Sequence, residues 1–198
     1  MAINWVDENI PAIVEAWYPG ESGGTAIAEV LFGDYNPGGR LPFTFYKSID
    51  DLPPFDDYDI YKGRTYMYFK GKPLYPFGYG LSYTSFGYSN MSISGSGDSI
   101  VVAADIRNTG DIKGDEVVQL YCTDLESPVK RPKKQLVGFK RMSLDKGETR
   151  TVSFVAARDQ LKYWDEGIHS WSFEPGEFKF ALGSSSEDIR LNRVIDVK

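Results

Sequence analysis

Hydrophobic and polar residues alternate along most of the chain from Phe86 to the C-terminus. A period of two is typical of strands that bury one face, because successive side chains point to opposite sides of a sheet. The alternation predicts strands at residues 88–94, 99–108, 115–123, 134–144, 149–157, 163–165 with 170–174, 176–182 and 190–197. Seven or so short strands over about 110 residues, separated by Gly- and Asp-containing turns, predict a β-sandwich of the immunoglobulin or fibronectin type III kind.

Cysteine usage narrows the kind of sandwich. The chain has one cysteine, Cys122, which excludes an intrachain disulfide and a Cys-based zinc site. Because the Cys…Trp…Cys framework of antibody domains is absent, we expect a fibronectin-like sandwich. Cys122 ends the alternating stretch EVVQLYC, so we expect a buried structural thiol.

Residues 1–45 follow a different pattern. Apolar residues at helical spacing predict helices at residues 11–17 and 23–32, after an extended piece at residues 3–6. Residues 36–39, NPGG, predict a turn, and residues 41–45 predict a short strand. An α/β layer needs several parallel strands with helices on its faces. We therefore expect an incomplete α/β segment whose N-terminus cuts into a larger domain.

Residues 46–85 have no clean period but are rich in aromatic side chains. Residues 65–69 and 74–77 are expected to form a hairpin. The density of aromatic residues favours an ordered connecting segment that packs against a neighbour. The predicted division of the chain is therefore 1–45, 46–85 and 86–198.

Composition and charge exclude several classes of function. The net charge of −6 argues against nucleic acid as a partner, because phosphate binding needs a concentrated basic face. No apolar run approaches the roughly 20 residues that span a bilayer, so no membrane association is expected. One histidine and one cysteine leave no metal-ligand cluster, and we expect no cofactor.

The pentapeptide GESGG at residues 20–24 matches the G-x-S-x-G nucleophile elbow and would make Ser22 the nucleophile of a serine esterase. An elbow needs a strand that leads into the serine. Here residues 10–17 are expected to be helical, and the single histidine, His169, lies in a predicted hairpin of the sandwich. A serine esterase is therefore the least favoured alternative.

Longer motifs carry a resemblance to a known family. These are AWYPGESGG at residues 16–24, AEVLFGDYNPGGRLP at 28–42, YPFGYGLSYT at 75–84, GDEVVQLY at 114–121, RPKKQLVGF at 131–139 and PGEF at 175–178. Together they resemble the end of the α/β sandwich domain of glycoside hydrolase family 3 and the fibronectin type III-like domain that follows it. The resemblance covers essentially the whole chain.

This resemblance implies a parent enzyme that is a retaining β-glycosidase of the β-glucosidase or β-xylosidase kind. Such an enzyme uses two carboxyl groups about 5 Å apart. In the family, the nucleophilic aspartate belongs to an N-terminal barrel and the acid/base glutamate to an earlier part of the α/β domain. No position here matches either motif, so we assign no catalytic residue and expect the chain alone to be inactive. A secreted or periplasmic parent is compatible with the resemblance, and a cytoplasmic one is left open.

Local charged and aromatic residues are given structural interpretations. Asp34 is expected to cap a turn with Asn36, Arg40 to tie that turn to its domain, and the acids at 56, 57 and 59 to be solvated. A place near an active-site rim is considered for Arg64, Tyr66 and Tyr68.

Two further hypotheses concern binding. Tyr163, Trp164 and Trp171 could form a platform for sugars, in which case the chain would be a stand-alone carbohydrate-binding or scaffold module; packing in the core or against missing domains is favoured instead. In an incomplete α/β segment, Ile13, Trp17, Ile27 and Leu31 would expose apolar faces and favour self-association.

Overall fold

Three antiparallel sheets follow three short helices in the computed structural model, which describes residues 2–95 and 98–198. The helices are α1 (Asn4–Asn9), α2 (Gly23–Phe32) and α3 (Thr65–Tyr68), with 3₁₀ turns at Ile49–Asp51, Ile60–Lys62 and Arg158–Leu161. The strands are β1 (Phe86–Ser94), β2 (Ser99–Asn108), β3 (Gly114–Asp124), β4 (Gln135–Leu144), β5 (Thr149–Ala157), β6 (Tyr163–Asp165), β7 (Ser170–Ser172), β8 (Gly176–Gly183) and β9 (Ile189–Val197).

The strands form the predicted sandwich. One sheet has the order β1-β2-β5, the facing sheet has the order β4-β3-β8-β9, and β6 with β7 forms a separate two-stranded hairpin. Every strand boundary lies within two residues of the prediction. The mainly β, fibronectin type III-like fold class is confirmed.

Alternate side chains of both sheets meet in one core. From the first sheet come Val102 and Ile106 of β2 with Phe154 of β5, and β8 contributes Phe178 and Phe180 from the second. Complete burial of such a side chain contributes roughly 1.5–3 kcal/mol, so this core supplies most of the apolar driving force available to the sandwich. Cys122 lies in the same core, as predicted.

The connecting segment covers the outer face of β3. The Tyr66 ring stacks on Phe77, with centroids 4.5 Å apart, and meets Tyr121 edge-on at 5.9 Å. The amide of Gln119 donates to the carbonyl oxygen of Gly78 at 3.1 Å. Gln119 and Tyr121 are therefore buried although they point away from the sandwich core. These contacts agree with the expectation that residues 46–85 pack against a neighbour.

Several predictions for the N-terminal part are wrong. Residues 4–9 are helical where an extended piece was expected, and residues 11–17 are irregular where a helix was expected. In this path Trp17 takes a φ of 52° and its ring packs edge-on against Phe43, 5.2 Å away. A tertiary contact thus replaces the helical spacing. The helix at residues 23–32 is observed as α2.

The turn, strand and hairpin predicted on the C-terminal side of α2 are also wrong. Residues 36–39 form a loop rather than a turn, and the strand expected at residues 41–45 is reduced to one bridge between Phe45 and Tyr75. Pro42 lacks the N–H that a longer ladder would use. Residues 65–68 form the helical turn α3 instead of a hairpin strand, since the Tyr46 hydroxyl accepts the Thr65 N–H at 2.7 Å.

Candidate functional site

Ser22 and His169 are not brought together as a catalytic pair. Ser22 is the exposed residue that precedes α2, and its side chain makes no capping hydrogen bond. His169 is exposed at the turn between β6 and β7, with a φ of 49°. The segment before Ser22 is irregular, so the helix expected at residues 11–17 is absent, and no strand leads into Ser22 as an elbow requires.

The glycines of the pentapeptide serve the backbone. Gly20 has a φ of 68°, in the left-handed region that favours glycine. A Cβ at Gly23 would lie 2.6 Å from the Pro19 ring, so only glycine allows the chain to turn closely into α2. This accounts for the G-x-S-x-G match without catalysis.

The acidic loop at residues 56–64 is held by internal contacts. Lys62 donates to Asp57 at 2.7 Å, and this hydrogen bond lowers the pKa of Asp57. Asp56 and Asp59 are exposed. The Arg64 guanidinium donates to the carbonyl oxygen of Asp57 at 3.0 Å, which gives Arg64 a structural role in this loop.

Asn36 links three parts of the chain. Its amide donates to the carbonyl oxygen of Lys113 at 3.0 Å, while its carbonyl oxygen accepts from Ser82 at 3.0 Å and from the Tyr83 N–H at 2.8 Å. The expected cap between Asp34 and Asn36 is therefore replaced by contacts to the sandwich and to the segment before it.

The tryptophans of the β6–β7 hairpin face solvent. Trp164 is 46% exposed and Trp171 is 64% exposed, and their rings meet edge-on with centroids 5.8 Å apart. Of the two expected placements, burial in the sandwich core is wrong, and packing against missing domains stays a prediction. A two-stranded hairpin outside both sheets has no facing layer that would cover them.

A cleft of about 250 Å³ opens between β1 and β9, where the two sheets of the sandwich part. Residues 79–86 form one wall, and the turn from β8 into β9 forms the other. Arg40 reaches in from the N-terminal segment. It lies against Gly80, where a Cβ would come within 2.9 Å of the Arg40 Cδ, so glycine makes room for the guanidinium.

A buried ion pair lies within this cleft. The Arg40 guanidinium is 3.4 Å from a carboxylate oxygen of Glu116, and the two side chains are only 8% and 4% exposed. The Tyr88 hydroxyl donates to the other oxygen of Glu116 at 2.9 Å. Burial raises the pKa of Glu116, and the charge of Arg40 offsets part of that rise. Arg40 thus ties its loop to the sandwich, whereas the expectation was a tie to its own α/β segment.

The second charged pair of the cleft is more exposed. Arg190 contacts both carboxylate oxygens of Asp188 at 2.7 Å, and Ser184 donates to the same carboxylate at 2.7 Å. The hydrogen bonds from Arg190 and Ser184 outweigh burial and lower the pKa of Asp188. Each carboxylate of the cleft is therefore bound to a guanidinium.

The sequence predictions did not include this cleft. One signal was available: Glu116 has the same parity on β3 as Val118 and Leu120, so a carboxylate occupies a core position. Its partners come from residues 76 positions earlier and 28 positions earlier in the chain. No local pattern predicts such pairings.

Residues 2–95 and 98–198 contain no group of three His, Cys, Asp or Glu side chains placed to hold a metal ion. In the same described ranges, no helix is long and apolar enough to cross a bilayer.

Two known protein families have domains that match parts of this chain. Residues 116–186 match a fibronectin type III-like domain, and residues 1–83 match the glycosyl hydrolase family 3 C-terminal domain. The chain therefore combines the C-terminal domain of glycosyl hydrolase family 3 with a fibronectin type III-like domain. It belongs to glycoside hydrolase family 3, as the resemblance implied.

Relatives extend this match over nearly the whole chain. The xylan 1,4-beta-xylosidase of Xylanibacter ruminicola is 43% identical over 189 residues, which cover 94% of this chain and 22% of the relative. The periplasmic beta-glucosidase of Salmonella typhimurium is 38% identical over 200 residues, covering 93% of this chain and 26% of the relative. The solved beta-glucosidase of Kluyveromyces marxianus in complex with glucose has a TM-score of 0.94 at 35% identity, covering 100% of this chain and 26% of that one. The chain thus spans about a quarter of the length of these relatives.

Proposed function

We propose that this chain is the non-catalytic C-terminal portion of a retaining β-glycosidase that hydrolyses β-glucosides or β-xylosides. In this proposal its sandwich and connecting segment support the α/β domain, and a barrel together with the rest of that domain supplies the catalytic carboxyl groups. Support comes from the relatives named above, which are about four times longer and carry β-glucosidase or β-xylosidase names.

The observation that carries the proposal is the apolar surface of residues 5–43. Large exposed side chains occur on α1, on the irregular segment, on α2 and on the loop after it; they are Trp5, Ile10, Ile13, Val14, Trp17, Leu31, Phe32 and Phe43. An extended apolar surface of this kind marks an interaction site. The sandwich has its own enclosed core and needs no such partner, so the surface fits the remainder of an α/β domain.

Inactivity of the isolated chain has its own support. Glu116 and Asp188 line the cleft, but each carboxylate is held by a guanidinium and a hydroxyl. A retaining mechanism needs one carboxylate free to attack and one carboxylic acid free to donate a proton. We therefore expect no hydrolysis of 4-nitrophenyl β-D-xyloside or β-D-glucoside by this chain alone.

Complementation tests the proposal. The Xylanibacter ruminicola xylosidase, shortened by the stretch that matches this chain, would be mixed with this chain and assayed with 4-nitrophenyl β-D-xyloside. Its own missing stretch, added separately, serves as the positive control. We expect turnover only in the mixtures. The proposal is wrong if this chain hydrolyses the substrate alone, or if the positive control restores activity and this chain does not.

A matched pair of variants locates the docking surface. Leu31 on α2 is 64% exposed and Phe139 on β4 is 69% exposed. We expect Leu31→Glu to reduce complementation strongly, because a charge there opposes burial against the α/β domain. Phe139→Glu should complement like the unchanged chain.

A second candidate function is carbohydrate binding by the exposed Trp164–Trp171 pair. Aromatic faces stack on sugar rings, and both tryptophans are accessible in the described chain. Titration with xylo-oligosaccharides would quench tryptophan fluorescence in the unchanged chain and not in Trp171→Ala. An unchanged emission across the titration would exclude this function while leaving the first proposal intact.

A further inference from the structure

The cleft between β1 and β9 has properties that neither the family match nor the proposed function uses. Its volume of about 250 Å³ is below the roughly 300–1,000 Å³ of pockets for drug-sized ligands, so it suits a smaller molecule. Apolar area comes from aromatic and aliphatic side chains along one wall and the floor, namely Tyr79, Leu81, Phe86 and Tyr88.

One hydrogen-bond donor of a residue that lines the cleft has no partner among the described residues. One terminal nitrogen of Arg40 donates a hydrogen bond to the Gly39 carbonyl oxygen, and the other donates to Glu116. The buried Nε of Arg40 has no partner among the described residues. A buried donor without a partner costs about 1–3 kcal/mol. An acceptor that enters the cleft and reaches this nitrogen would remove this cost.

The charges of the cleft decide which kind of acceptor fits. Arg40 is paired with Glu116, and Arg190 is paired with Asp188, so the four side chains sum to zero. An anion would meet two carboxylates, and a cation would meet two guanidinium groups. A hydroxyl suits both, because it accepts from a guanidinium and donates to a carboxylate.

We propose that this cleft binds a small neutral polyhydroxylated molecule, a free monosaccharide or polyol, at the joint between the sandwich and the N-terminal segment. Vicinal hydroxyls match the adjacent guanidinium and carboxylate groups, and the aromatic side chains contact the apolar face of the ligand. The inference does not rest on the proposed function, because every residue that lines the cleft belongs to this chain.

Titration of the full chain by NMR tests the inference, with D-xylose, D-glucose, glycerol and inorganic phosphate as separate probes. We expect saturable shifts of the Arg40 Nε–H signal with at least one of the three neutral probes and none with phosphate. Ligand at about 100 mM saturates a site whose Kd is about 1 mM. The pattern across the neutral probes separates a sugar ring from an open polyol.

Matched variants separate the cleft from general surface effects. Arg190 and Arg150 each pair with an acid two residues earlier, Asp188 and Glu148, and both arginines are about half exposed. We expect Arg190→Gln to weaken binding at least ten-fold and Arg150→Gln to leave it unchanged. Ser85→Phe, at an exposed position on the rim, should abolish binding by filling the cleft.

Three results would overturn the inference. These are the absence of saturable shifts with all three neutral probes, tighter binding of phosphate than of any neutral probe, and equal binding by the Arg190→Gln and Arg150→Gln variants. Because both positions are exposed, neither variant is expected to prevent folding, and the backbone spectrum of each variant checks this.

Discussion

The sandwich and the N-terminal segment differ in how they bury apolar side chains. Within the sandwich, Phe178 and Phe180 lose all contact with solvent between two sheets. In α2, by contrast, Gly23 is the only buried residue, and Leu31 and Phe32 face outward. The sandwich therefore encloses its own apolar core, whereas residues 1–45 leave many of their large apolar side chains exposed. Four predictions test this difference.

The largest effect is expected in the sandwich core. Phe180→Ala should reduce the free energy of unfolding by about 3–5 kcal/mol, since it removes transfer energy and leaves a cavity. Phe139→Ala, on the exposed face of β4, should change it by less than about 0.5 kcal/mol. Urea unfolding monitored by circular dichroism measures both values. Similar losses in the two variants would contradict the enclosed core.

The next effect concerns the tie between the two regions. Arg40→Met should cost about 3 kcal/mol, because Glu116 would remain buried without its ion-pair partner. Arg150→Met removes a surface pair with Glu148 and should cost less than about 1 kcal/mol. Differential scanning calorimetry of the two variants would show whether Arg40 stabilises the joint.

A smaller, pH-dependent effect is expected from Glu116 itself. Burial raises its pKa above the ordinary value of 4.5, so the folded state holds its proton more tightly than the unfolded chain. The corresponding stability is present below pH 4.5 and is lost as pH rises through the folded-state pKa. Glu116→Gln should remove this decline in denaturant titrations at several pH values.

Glu148 provides the opposite control. A backbone hydrogen bond from Asp145 and a side-chain hydrogen bond from Arg150 lower the pKa of Glu148. Its contribution is present above the unfolded-state pKa and is lost as pH falls. Glu148→Gln should therefore change the pH profile in the reverse sense. Parallel profiles for the two variants would be inconsistent with a buried Glu116.

The smallest change in the free energy of unfolding is expected at Leu31. The same substitution is expected to affect self-association of the chain. Leu31→Ser should change the free energy of unfolding by no more than about 0.5 kcal/mol, because the side chain is exposed. It should also reduce self-association of the chain in sedimentation velocity, whereas Phe139→Ser should not. A chain that is monomeric throughout, with residues 1–45 fully protected from hydrogen exchange, would contradict the exposed surface.

The strands of the sandwich were predictable because their cause is local. The parity of Val118, Leu120 and Cys122 on β3 sets which face is buried, and the turns between strands have their own residue signals. The same holds for α2, whose end is marked by Gly33 in the left-handed conformation with a φ of 85°. Both kinds of pattern act within a few residues of the chain.

The local structure of residues 1–85 is set more by contacts with residues distant in the sequence than by their own pattern of apolar positions. The Tyr46 hydroxyl and the Thr65 N–H are 19 positions apart, and their hydrogen bond favours α3 over the predicted hairpin strand. Trp17 likewise packs on Phe43 instead of ending a helix. The division of the chain at residues 45 and 85 stays a prediction.

Alternation of apolar residues was enough to specify the sandwich, because pleated backbone converts a period of two into one buried face. The cleft depended on the tertiary fold, which brings Arg40 of the N-terminal segment and Tyr88 of β1 to the carboxylate of Glu116 on β3. Because the carboxylate is buried, its pairing affects stability: a carboxylate removed from water is costly unless it has charged or hydrogen-bonding partners. Those partners lie far apart in the sequence, and only the folded chain brings them within hydrogen-bond distance.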